Sequence, residues 1–414
     1  MGKKIYGLIG RKLTHSFSVP VHRELGNSAY RLIGLEPEAL AAFLSRGDLG
    51  GLNVTIPYKR TVMEFCDRLS PVAHESGSVN TLVPASSGAL VGYNTDAYGL
   101  DYMVRRAGIS LRGAKVLIFG SGGASLTAQY LARRSGAREV VVISRSGREN
   151  YGNLSRHRDA GVLLNATPVG MYPHNGAVVA DISLFNRLSG VLDLVYNPRR
   201  TALIMQAERL KLPCSDGLPM LVAQAKAAAE LFFGTAIAGG EVERIIGQMR
   251  RELTNIVLIG MPGCGKSTVG QALSRLSGRA VIDLDEVIVR EAGLSIPEIF
   301  AASGETAFRR LEREAAAAAG KECGKLIVTG GGVVKDERNY PSLRQNGRLY
   351  HLRRDPALLA RAGRPLSEKG DLAAMARERL PHYERFRDAV IDNKGTPEEV
   401  AARIWRDFNA HSGD

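Results

Sequence analysis

A run of glycines followed by lysine and serine, in the second half of the chain, has the spacing of a phosphate-binding loop. Residues 260–268 read Gly-Met-Pro-Gly-Cys-Gly-Lys-Ser-Thr and fit G-x-x-x-x-G-K-[ST] at every fixed position. Glycine lets such a loop turn its backbone N–H groups toward an anion, the lysine reaches the outer phosphates, and the serine holds Mg²⁺. The predicted chemistry is binding of ATP or GTP, and a glycine-rich turn without a ligand is the alternative. The candidate residues are Gly260, Gly263, Gly265, Lys266, Ser267 and Thr268.

A second glycine-rich loop, nearer the middle of the chain, has the spacing of a dinucleotide site. Residues 120–125 give G-x-G-x-x-S after an apolar run, a near match to the fingerprint G-x-G-x-x-G. After the next apolar run the chain reads Ser-Arg-Ser at residues 144–146, where an NAD site would carry Asp or Glu for the ribose 2′-hydroxyl. A cation in that place favours the 2′-phosphate of NADP(H), although an empty turn of the same type also fits the local pattern. The candidate residues are Gly120, Gly122, Gly123, Ala124, Ser144 and Arg145.

Polar side chains stand at the ends of predicted strands throughout the first hundred residues. Each of them alone more often caps a helix or a turn, but several such clusters together favour a site for a polar small molecule. The clusters contain Ser16, Ser18, Asn53, Thr55, Lys59, Asn80, Asn94 and Asp96.

Further candidate groups follow the phosphate-binding loop. Asp283 and Asp285 end a predicted strand, and their i, i+2 spacing on an extended segment would point both carboxylates to one side. Glycines at residues 330–332 leave bare backbone for close approach by a ligand. Arg309 and Glu312 have helical i, i+3 spacing, which predicts a surface ion pair worth roughly 0.2–0.5 kcal/mol. Residues 361–370 have the polar, glycine-bearing composition of a mobile flap over phosphates.

The elements that position these groups are short strands and helices in alternation, with both halves expected to have parallel central sheets. A hairpin is predicted over residues 81–93, and a helix is predicted after Pro57. No Pro/Ser-rich linker separates the halves, so we expect a helix to join them. The predicted strands cover residues 4–9, 52–55, 115–119, 139–143, 162–164, 191–195, 256–259, 280–285 and 326–329. The predicted helices cover residues 37–45, 126–135, 217–233 and 240–253.

Length and composition restrict the class of protein. A chain of 414 residues exceeds what one hydrophobic core usually supports, so two to three domains are expected. No run of eighteen apolar residues, secretory signal pattern or myristoylation motif is found, which predicts no membrane partner. The four cysteines are far apart and suggest neither disulfides nor a thiolate metal site, so the cytoplasm is the expected location.

The formal charge of +13 raises the question of nucleic-acid binding. Basic residues are interspersed with acidic ones, and no basic run of five or more interleaves with aromatic residues. A basic surface that attracts anionic small molecules is therefore the favoured interpretation, and no nucleic-acid partner is expected. The oligomeric state is left open by the sequence.

Many of these motifs occur in the order of two enzyme families. Residues 1 to about 250 resemble shikimate dehydrogenase, and residues from about 254 onward resemble shikimate kinase. The dehydrogenase motifs lie at residues 15–18, 53–59, 79–81, 92–96, 120–124, 165–171 and 217–224. The kinase motifs are the phosphate-binding loop and residues 283–285, 304–312, 330–332, 364–366 and 379–383. The two families act in sequence, since the product of the first is the substrate of the second.

The dehydrogenase resemblance implies a site for an acid and a nicotinamide cofactor. Ser16 and Ser18 would bind the substrate carboxylate, and Lys59 with Asp96 would form the catalytic pair at the carbonyl. An ammonium beside that carbonyl can stabilise the developing negative charge and supply the proton. The other substrate-lining residues implied are Asn53, Thr55, Asn80, Tyr196 and Gln224.

The kinase resemblance implies roles for the second set of residues. Lys266 and the loop amides would hold ATP, while Ser267 and Asp283 would hold Mg²⁺. Asp285 would orient or deprotonate the attacking hydroxyl, and Arg364 would close over the phosphates. The residues implied to hold the acid are Arg309 and Arg379, which would clamp its carboxylate, and Gly330, Gly331 and Gly332, which would meet the ring hydroxyls.

Two departures from the family patterns are present. The usual S-x-S-P becomes Ser16-Phe-Ser18-Val-Pro20, so proline lies one place later. In the flap, Ser367 replaces the usual apolar residue, and the role of Arg361 as a second lid arginine is left open.

The combined prediction is a bifunctional α/β enzyme of aromatic amino acid biosynthesis. It would reduce 3-dehydroshikimate to shikimate with NADPH and phosphorylate shikimate with ATP and Mg²⁺. Residues 1–98 plus 214–250 would form the substrate domain, 99–213 the Rossmann NADP-binding domain, and 251–414 the P-loop kinase domain with a parallel sheet. A ligand-binding regulator built from the same modules, or specificity for quinate or another polyol, is the alternative.

Overall fold

The computed structural model describes residues 4–13, 16–359 and 371–411. The chain divides into two compact units. The N-terminal unit comprises Met1–Met171 and Ala177–Ile246, and the C-terminal unit comprises Tyr172–Gly176 and Gly247–Asp414. No helix in the described part of the chain is long and apolar enough to cross a membrane.

The first sheet has six strands in the order β2-β1-β3-β5-β6-β4. The strands β1 to β3 are parallel, but β5 pairs antiparallel with both β3 and β6, so the sheet is mixed and the expectation of a parallel sheet is wrong here. The cause is the predicted hairpin, whose short turn forces its two strands to run in opposite directions. The strands are β1 (Ile5–Gly10), β2 (Arg31–Gly34), β3 (Leu49–Val54), β4 (Arg68–Leu69), β5 (Thr81–Pro84) and β6 (Leu90–Tyr93).

The helices in this part of the chain are α1 (Ser18–Glu24), α2 (Leu40–Leu44), α3 (Pro71–Ser76) and α4 (Asp96–Arg106). The helix predicted after Pro57 is instead a set of turns followed by a 3-10 helix, Thr61–Phe65. Bonds from the N–H of Tyr58 to the Thr55 carbonyl and from Met63 to Arg60 span three residues, so this segment is wound more tightly than an α-helix.

The second sheet is entirely parallel, in the order β11-β10-β9-β7-β8. Successive residues of β7 enter separate hydrophobic clusters, with Val116 and Ile118 in one and Leu117 and Phe119 in the other. Both faces are therefore covered, as a parallel sheet requires. The strands are β7 (Lys115–Phe119), β8 (Glu139–Ile143), β9 (Val162–Asn165), β10 (Gly190–Asp193) and β11 (Cys214–Ser215), and the helices that pack on them are α5 (Gly123–Arg134) and α6 (Ala202–Arg209). Helix α7 (Leu218–Phe233) packs instead on α4, on α1 and on strands β3 and β5 of the first sheet.

The C-terminal unit is built on a parallel sheet in the order β13-β14-β12-β15-β16. These strands are β12 (Asn255–Ile259), β13 (Val281–Asp283), β14 (Leu326–Val328), β15 (Gly347–Arg353) and β16 (Ala389–Asp392). The helices are α8 (Gly240–Leu253), α9 (Lys266–Ser277), α10 (Leu284–Ala292), α11 (Ile296–Lys321), α12 (Asn339–Arg344), α13 (Leu372–Phe386) and α14 (Pro397–His411). The division between the two units falls inside α8, the helix expected to join the halves.

Helix α11 is interrupted at Gly304, whose φ of 74° is left-handed and therefore favours glycine. Glu305 and Arg309 follow this kink, so the second part of α11 sets their direction independently of the first part.

Two candidate active sites

A lysine–carboxylate pair lies at the centre of the N-terminal unit. Lys59 Nζ is 2.5 Å from Asp96 Oδ2, and the two side chains are only 15% and 7% exposed. Lys59 lies in the turn after β3, and Asp96 is the first residue of α4, where the helix dipole favours a negative charge. The pair is thus an ammonium and a carboxylate largely removed from water.

The amide of Asn80 orients this pair. Its Nδ2 donates to Asp96 Oδ1 at 2.9 Å and to Gln224 Oε1 at 3.3 Å, while its Oδ1 accepts from the Thr95 N–H at 2.7 Å. Asn80 is 2% exposed, and these bonds use both its donor and its acceptor atoms. Asn80 therefore connects the Asp96 carboxylate with Gln224 of α7.

Asn53 is held in a similar way. Its Oδ1 accepts from the Tyr30 hydroxyl at 2.8 Å, and its Nδ2 donates to Thr81 Oγ1 at 3.0 Å. Tyr30 was missed by sequence reasoning, because it lies before β2 in a segment without any motif. A buried tyrosine whose hydroxyl needs an acceptor is recognisable only once its neighbour is known.

Ser16, Ser18 and Tyr196 come together from distant parts of this unit. Ser16 Oγ donates to Ser18 Oγ at 3.0 Å, and the rings of Phe17 and Tyr196 are 5.3 Å apart. Burial raises the pKa of Tyr196, and hydrogen bonds from the Phe17 backbone and the Ser16 hydroxyl partly offset that effect. The phenol is therefore a neutral hydrogen-bonding group at neutral pH.

These groups border a cavity of about 180 Å³. Its polar lining comes from Ser18, Asn53, Lys59, Asn80, Asp96, Tyr196 and Gln224, and its apolar lining includes Ala124 of α5 and Leu194. Ser16 and Thr55, which were predicted to contact the same ligand, are outside this lining. The methyl group of Thr55 instead packs at Gly10.

The glycine-rich loop predicted to bind a dinucleotide lies beside Lys59. Helix α5 begins at Gly123, three residues earlier than predicted, so the loop glycines form its N-terminal end. A Cβ placed on Gly123 would be 3.0 Å from Lys59 Cβ, whereas one on Gly122 would meet nothing within 4 Å. The loop thus combines open backbone at a helix N-terminus with a close approach to Lys59, which suits a pyrophosphate followed by a nicotinamide. Ser144 and Arg145 follow β8, and Arg145 is exposed.

The phosphate-binding loop of the C-terminal unit connects β12 to α9. Gly260, Gly263 and Gly265 all have positive φ values, of 151°, 74° and 94°. Lys266 is 8% exposed, and its Nζ donates to the carbonyls of Gly260 at 2.8 Å and Met261 at 3.1 Å. The loop therefore has the backbone conformation of a phosphate cradle, with its lysine folded onto its own carbonyls.

Ser267 and Asp283 form an oxygen pair at the same loop, where Ser267 Oγ donates to Asp283 Oδ2 at 3.1 Å. Two hard oxygen atoms beside a phosphate loop suit Mg²⁺. The prediction that Asp283 and Asp285 share one face of a strand is wrong, because β13 ends at Asp283. Asp283 caps α10 by accepting from the Asp285 N–H at 3.0 Å, and Asp285 lies in the first helical turn.

The prediction of a surface ion pair between Arg309 and Glu312 is also wrong. The side chain of Glu312 is 1% exposed, and Arg309 Nη1 donates to its Oε2 at 2.7 Å while Nη2 donates to Glu305 at 3.0 Å. Burial raises the pKa of Glu312, and the nearby charge of Asp285 adds to this rise, while Arg309 opposes it. Within the described residues, Glu312 Oε1 has no hydrogen-bond partner.

Two glycines, Gly330 and Gly332, lie against these side chains, while Gly331 lies against the ring of Pro262. A Cβ on Gly330 would be 2.9 Å from both Asp285 Oδ1 and Glu312 Oε1, and one on Gly332 would overlap the guanidinium of Arg309. Only bare backbone therefore fits between the acidic and basic groups.

Arg379 is 3% exposed and donates through Nη1 to the Gly331 carbonyl at 2.9 Å. The Tyr383 hydroxyl donates to the same oxygen at 2.7 Å, a contact that the sequence did not reveal. His15, Arg361 and Arg364, together with the flap predicted over residues 361–370, lie outside the described residues.

Comparisons with known proteins match the two parts of the chain separately. The family model for the shikimate dehydrogenase substrate binding domain matches residues 8–82, and the model for shikimate kinase matches residues 262–409. The shikimate dehydrogenase (NADP(+)) of Clostridium perfringens (strain SM101 / Type A) is 32% identical over 268 residues, which are 60% of this chain and 98% of that protein.

Two solved structures extend this similarity. Shikimate 5-dehydrogenase from Thermus thermophilus, solved with NADP(H) and shikimate, has 30% sequence identity and a TM-score of 0.52. The match covers 58% of this chain and 97% of that chain. Quinate dehydrogenase from Corynebacterium glutamicum, solved with NAD, has 27% identity and a TM-score of 0.52, covering 59% and 97%. The predicted α/β fold class and both family resemblances are confirmed.

Proposed function

Because the chain belongs to the shikimate dehydrogenase family in its N-terminal part and carries a shikimate kinase domain in its C-terminal part, we propose two consecutive reactions. The first is reduction of 3-dehydroshikimate to shikimate with NADPH, and the second is phosphorylation of the 3-hydroxyl of shikimate with ATP. The observation that supports this proposal most directly is the buried Lys59–Asp96 pair beside the dinucleotide loop. The chain is an NADP-dependent oxidoreductase and a kinase.

We propose that Lys59 protonates the carbonyl oxygen of the substrate. Bound NADPH supplies the hydride. The Lys59 ammonium faces the oxygen on which negative charge develops, stabilises that charge and gives up its proton. Asp96 and Asn80 hold the ammonium in place, while Ser18 and Tyr196 of the cavity lining, with Ser16 hydrogen-bonded to Ser18, would bind the acid. Asn53, Thr55 and Gln224 complete the proposed substrate site.

In the kinase site, the proposed nucleotide contacts are those of the phosphate-binding loop. Lys266 would release the loop carbonyls and bind the outer phosphates, and Ser267 with Asp283 would hold Mg²⁺. Asp285 is the proposed group that orients or deprotonates the attacking hydroxyl. Arg364 would stabilise the negative charge that develops at the transferred phosphate. The residues that would hold the acid are two arginines and three glycines: Arg309, Arg379, Gly330, Gly331 and Gly332.

The domain limits predicted from the sequence are part of this proposal: residues 1–98 plus 214–250 for the substrate domain, 99–213 for the cofactor domain and 251–414 for the kinase. A second candidate, quinate specificity in the first site, is favoured by the similarity to a quinate dehydrogenase. A regulator that binds ligands without turnover is disfavoured because Lys59, Asp96, Lys266 and Asp285 are all present.

The test measures the two reactions separately on the whole chain, reduction with 3-dehydroshikimate and NADPH, and phosphorylation with added shikimate and Mg-ATP. Lys59→Ala should lower the reduction rate about 10²–10⁴-fold and leave phosphorylation within about twofold of wild type. Lys266→Ala should have the opposite pattern. Replacing shikimate by quinate in the reverse dehydrogenase assay distinguishes the two substrates.

A wild-type chain that turned over neither substrate would refute the proposed function. A single substitution that silenced both reactions would refute independent sites.

A further inference from the structure

Asp193 is a fully buried carboxylate that takes no part in the reactions proposed above. It is the last residue of β10, at the carboxyl edge of the parallel sheet, and its exposed fraction is 0%. Burial raises the pKa of Asp193 to about 6, and the nearby charge of Asp216 adds to this rise. An ionised carboxylate in such a place destabilises the fold unless hydrogen-bond donors surround it. The donors around Asp193 therefore show which segments of the chain this side chain holds in place.

Three donors from three segments converge on Asp193. Its Oδ1 accepts from Asn165 Nδ2 at 2.9 Å and from the Val195 N–H at 3.0 Å. Its Oδ2 accepts from Thr201 Oγ1 at 2.6 Å, and the same hydroxyl caps the N-terminus of α6. The carboxylate thus joins the end of β9, the segment after β10 and the start of α6.

The contact with Asn165 leads to the dinucleotide loop. Asn165 Oδ1 accepts from Thr167 Oγ1 at 2.6 Å and from the Thr167 N–H at 3.0 Å, which fixes the position of this threonine. Thr167 packs on Gly120, since a Cβ on that glycine would be 2.9 Å from Thr167 Cγ2. Movement of Asn165 would therefore be transmitted to the first glycine of the loop.

The contact with Val195 leads to the substrate side. Val195 immediately precedes Tyr196, which lines the cavity, and its carbonyl accepts from the Gly217 N–H at 3.0 Å. Gly217 precedes α7, the helix that carries Gln224 to the same cavity. The segment held by Asp193 thus supports two of the lining residues.

We propose that Asp193 is a positioning residue of the dehydrogenase site, which holds the dinucleotide loop and the Tyr196 segment in register with each other. This proposal rests on the proposed placement of cofactor and substrate in that site. A purely structural carboxylate would affect only the stability of the sheet, whereas a positioning residue affects the binding of both ligands and the rate of turnover.

The test compares Asp193→Asn with two other kinds of variant in the whole chain. Asparagine has the same shape but loses one acceptor, so Thr201 can no longer donate as it does to the carboxylate. We expect the KM values for NADP⁺ and shikimate each to rise at least fivefold and kcat to fall at least tenfold. Phosphorylation by the same preparation should stay within twofold and reports the concentration of chain with a folded C-terminal unit. The calorimetric transition of the N-terminal unit reports whether that unit is folded.

Thr201→Val removes one bond while leaving the carboxylate, so it carries the test if Asp193→Asn does not fold. We expect it to change both KM values in the same direction, and Thr201→Ser, which keeps the hydroxyl, to restore at least half of the wild-type kcat. Val191→Ala is the matched control, because it removes packing from the same buried strand without removing a hydrogen bond. It should lower the melting temperature and leave the kinetic constants unchanged.

Wild-type kinetic constants in Asp193→Asn, or in Thr201→Val where the former is unfolded, would overturn the inference. Equal kinetic losses in Val191→Ala and Asp193→Asn would also overturn it, because stability alone would then account for both. Absence of dehydrogenase turnover in the wild type would instead refute the proposed function.

Discussion

Single residues of the substrate site were predictable by type but not by orientation. Asn53 stands in a motif, so the sequence identifies it as a polar group at the end of a strand. The direction of its amide depends on Tyr30, which donates to Oδ1, and on Thr81, which accepts from Nδ2. Those partners come from β5 and from the segment before β2, and no local pattern relates their positions to Asn53.

Removing the Tyr30 hydroxyl should therefore weaken substrate binding. In Tyr30→Phe the Asn53 amide loses the donor that fixes its orientation, which is worth about 0.5–1.5 kcal/mol, or about a two- to tenfold rise in the KM for shikimate. The KM for NADP⁺ should not change. Initial-rate kinetics with each ligand varied in turn make this measurement.

The matched control is Tyr58→Phe, which also removes a buried hydroxyl bond, to the Leu35 carbonyl, but leaves Asn53 untouched. A rise in the KM for shikimate in the control as large as that in Tyr30→Phe would contradict the proposed link to Asn53.

For Glu312, in contrast to Asn53, the sequence spacing predicted the hydrogen-bond partner, but it did not predict that the Glu312 side chain is buried. Helical spacing gave the pair with Arg309, yet only the packing around Gly330 shows that the carboxylate is enclosed. Glu312→Gln should lower the stability of the C-terminal unit by about 1–3 kcal/mol, because Arg309 loses its buried counter-charge and keeps only Glu305. It should also raise the KM for shikimate in the kinase assay.

Urea unfolding followed by tryptophan fluorescence measures the change in stability. The chain has a single tryptophan, Trp405, which lies in α14 of the C-terminal unit. The control is Glu314→Gln in the same helix, whose pair with Arg310 is more than half exposed and should contribute less than about 1 kcal/mol. Equal losses of unfolding free energy in Glu312→Gln and Glu314→Gln would contradict the view that burial makes the Arg309–Glu312 pair more stabilising than an exposed pair.

Among the secondary-structure elements, most strands were predicted from short apolar runs, but the end of β13 was not. The chain leaves the strand at Asp283 because this side chain caps α10. The sequence did carry a signal for this, since Asp283 is followed three positions later by Glu286, the spacing of a capping box. Because the helix begins at Leu284, the Asp285 carboxylate lies in the first turn of α10 and not on the strand.

Asp336 connects α11 with the segment before α12, and its effect on stability should depend on pH. Arg338 hydrogen-bonds its carboxylate and, with a further bond from Arg313, lowers the pKa of Asp336 to about 2. A carboxyl whose pKa is lower in the folded state stabilises that state above its unfolded pKa of about 4, and this stabilisation is lost as the pH falls toward 2. Allowing for solvent screening, we expect about 1–2 kcal/mol at pH 7.

Asp336→Asn should therefore be less stable than wild type at pH 7, and the difference should shrink steadily below pH 4. Urea unfolding at a series of pH values, followed through Trp405, measures it. Arg338→Gln removes the main hydrogen-bond donor to Asp336 instead. Its loss of unfolding free energy relative to wild type should have the same pH dependence. A difference that stayed constant from pH 7 to pH 3 would exclude this ion pair as its source.

At the scale of the whole molecule, the sequence predicted two α/β halves, and motif order was sufficient for this because each family pattern extends over its own half. In the N-terminal unit the hairpin of β5 and β6 was predicted, but the antiparallel pairing of β5 with β3 was not, because it joins segments that are distant in the sequence. Each unit has hydrophobic clusters drawn from its own residues, so each can respond separately to its own ligand.

Ligands specific for one site should therefore stabilise one unit. At a concentration of one hundred times Kd, NADP⁺ should stabilise the N-terminal unit by about 2.7 kcal/mol and leave the thermal transition of Trp405 unchanged. Mg-ATP should raise the temperature of that transition in the wild type and not in Lys266→Ala. Calorimetry together with tryptophan fluorescence separates these effects, and a shift of the Trp405 transition by NADP⁺ would show that the units are coupled.

Both sites are encoded in one polypeptide, and this has a consequence for the supply of product. Every molecule made by the ribosome brings one reductase site and one kinase site, so gene expression cannot alter their ratio. Under the proposed function, the two reactions of this chain are balanced through turnover numbers, nucleotide levels and substrate saturation. Selection on such a chain acts on the relative speed of its two halves.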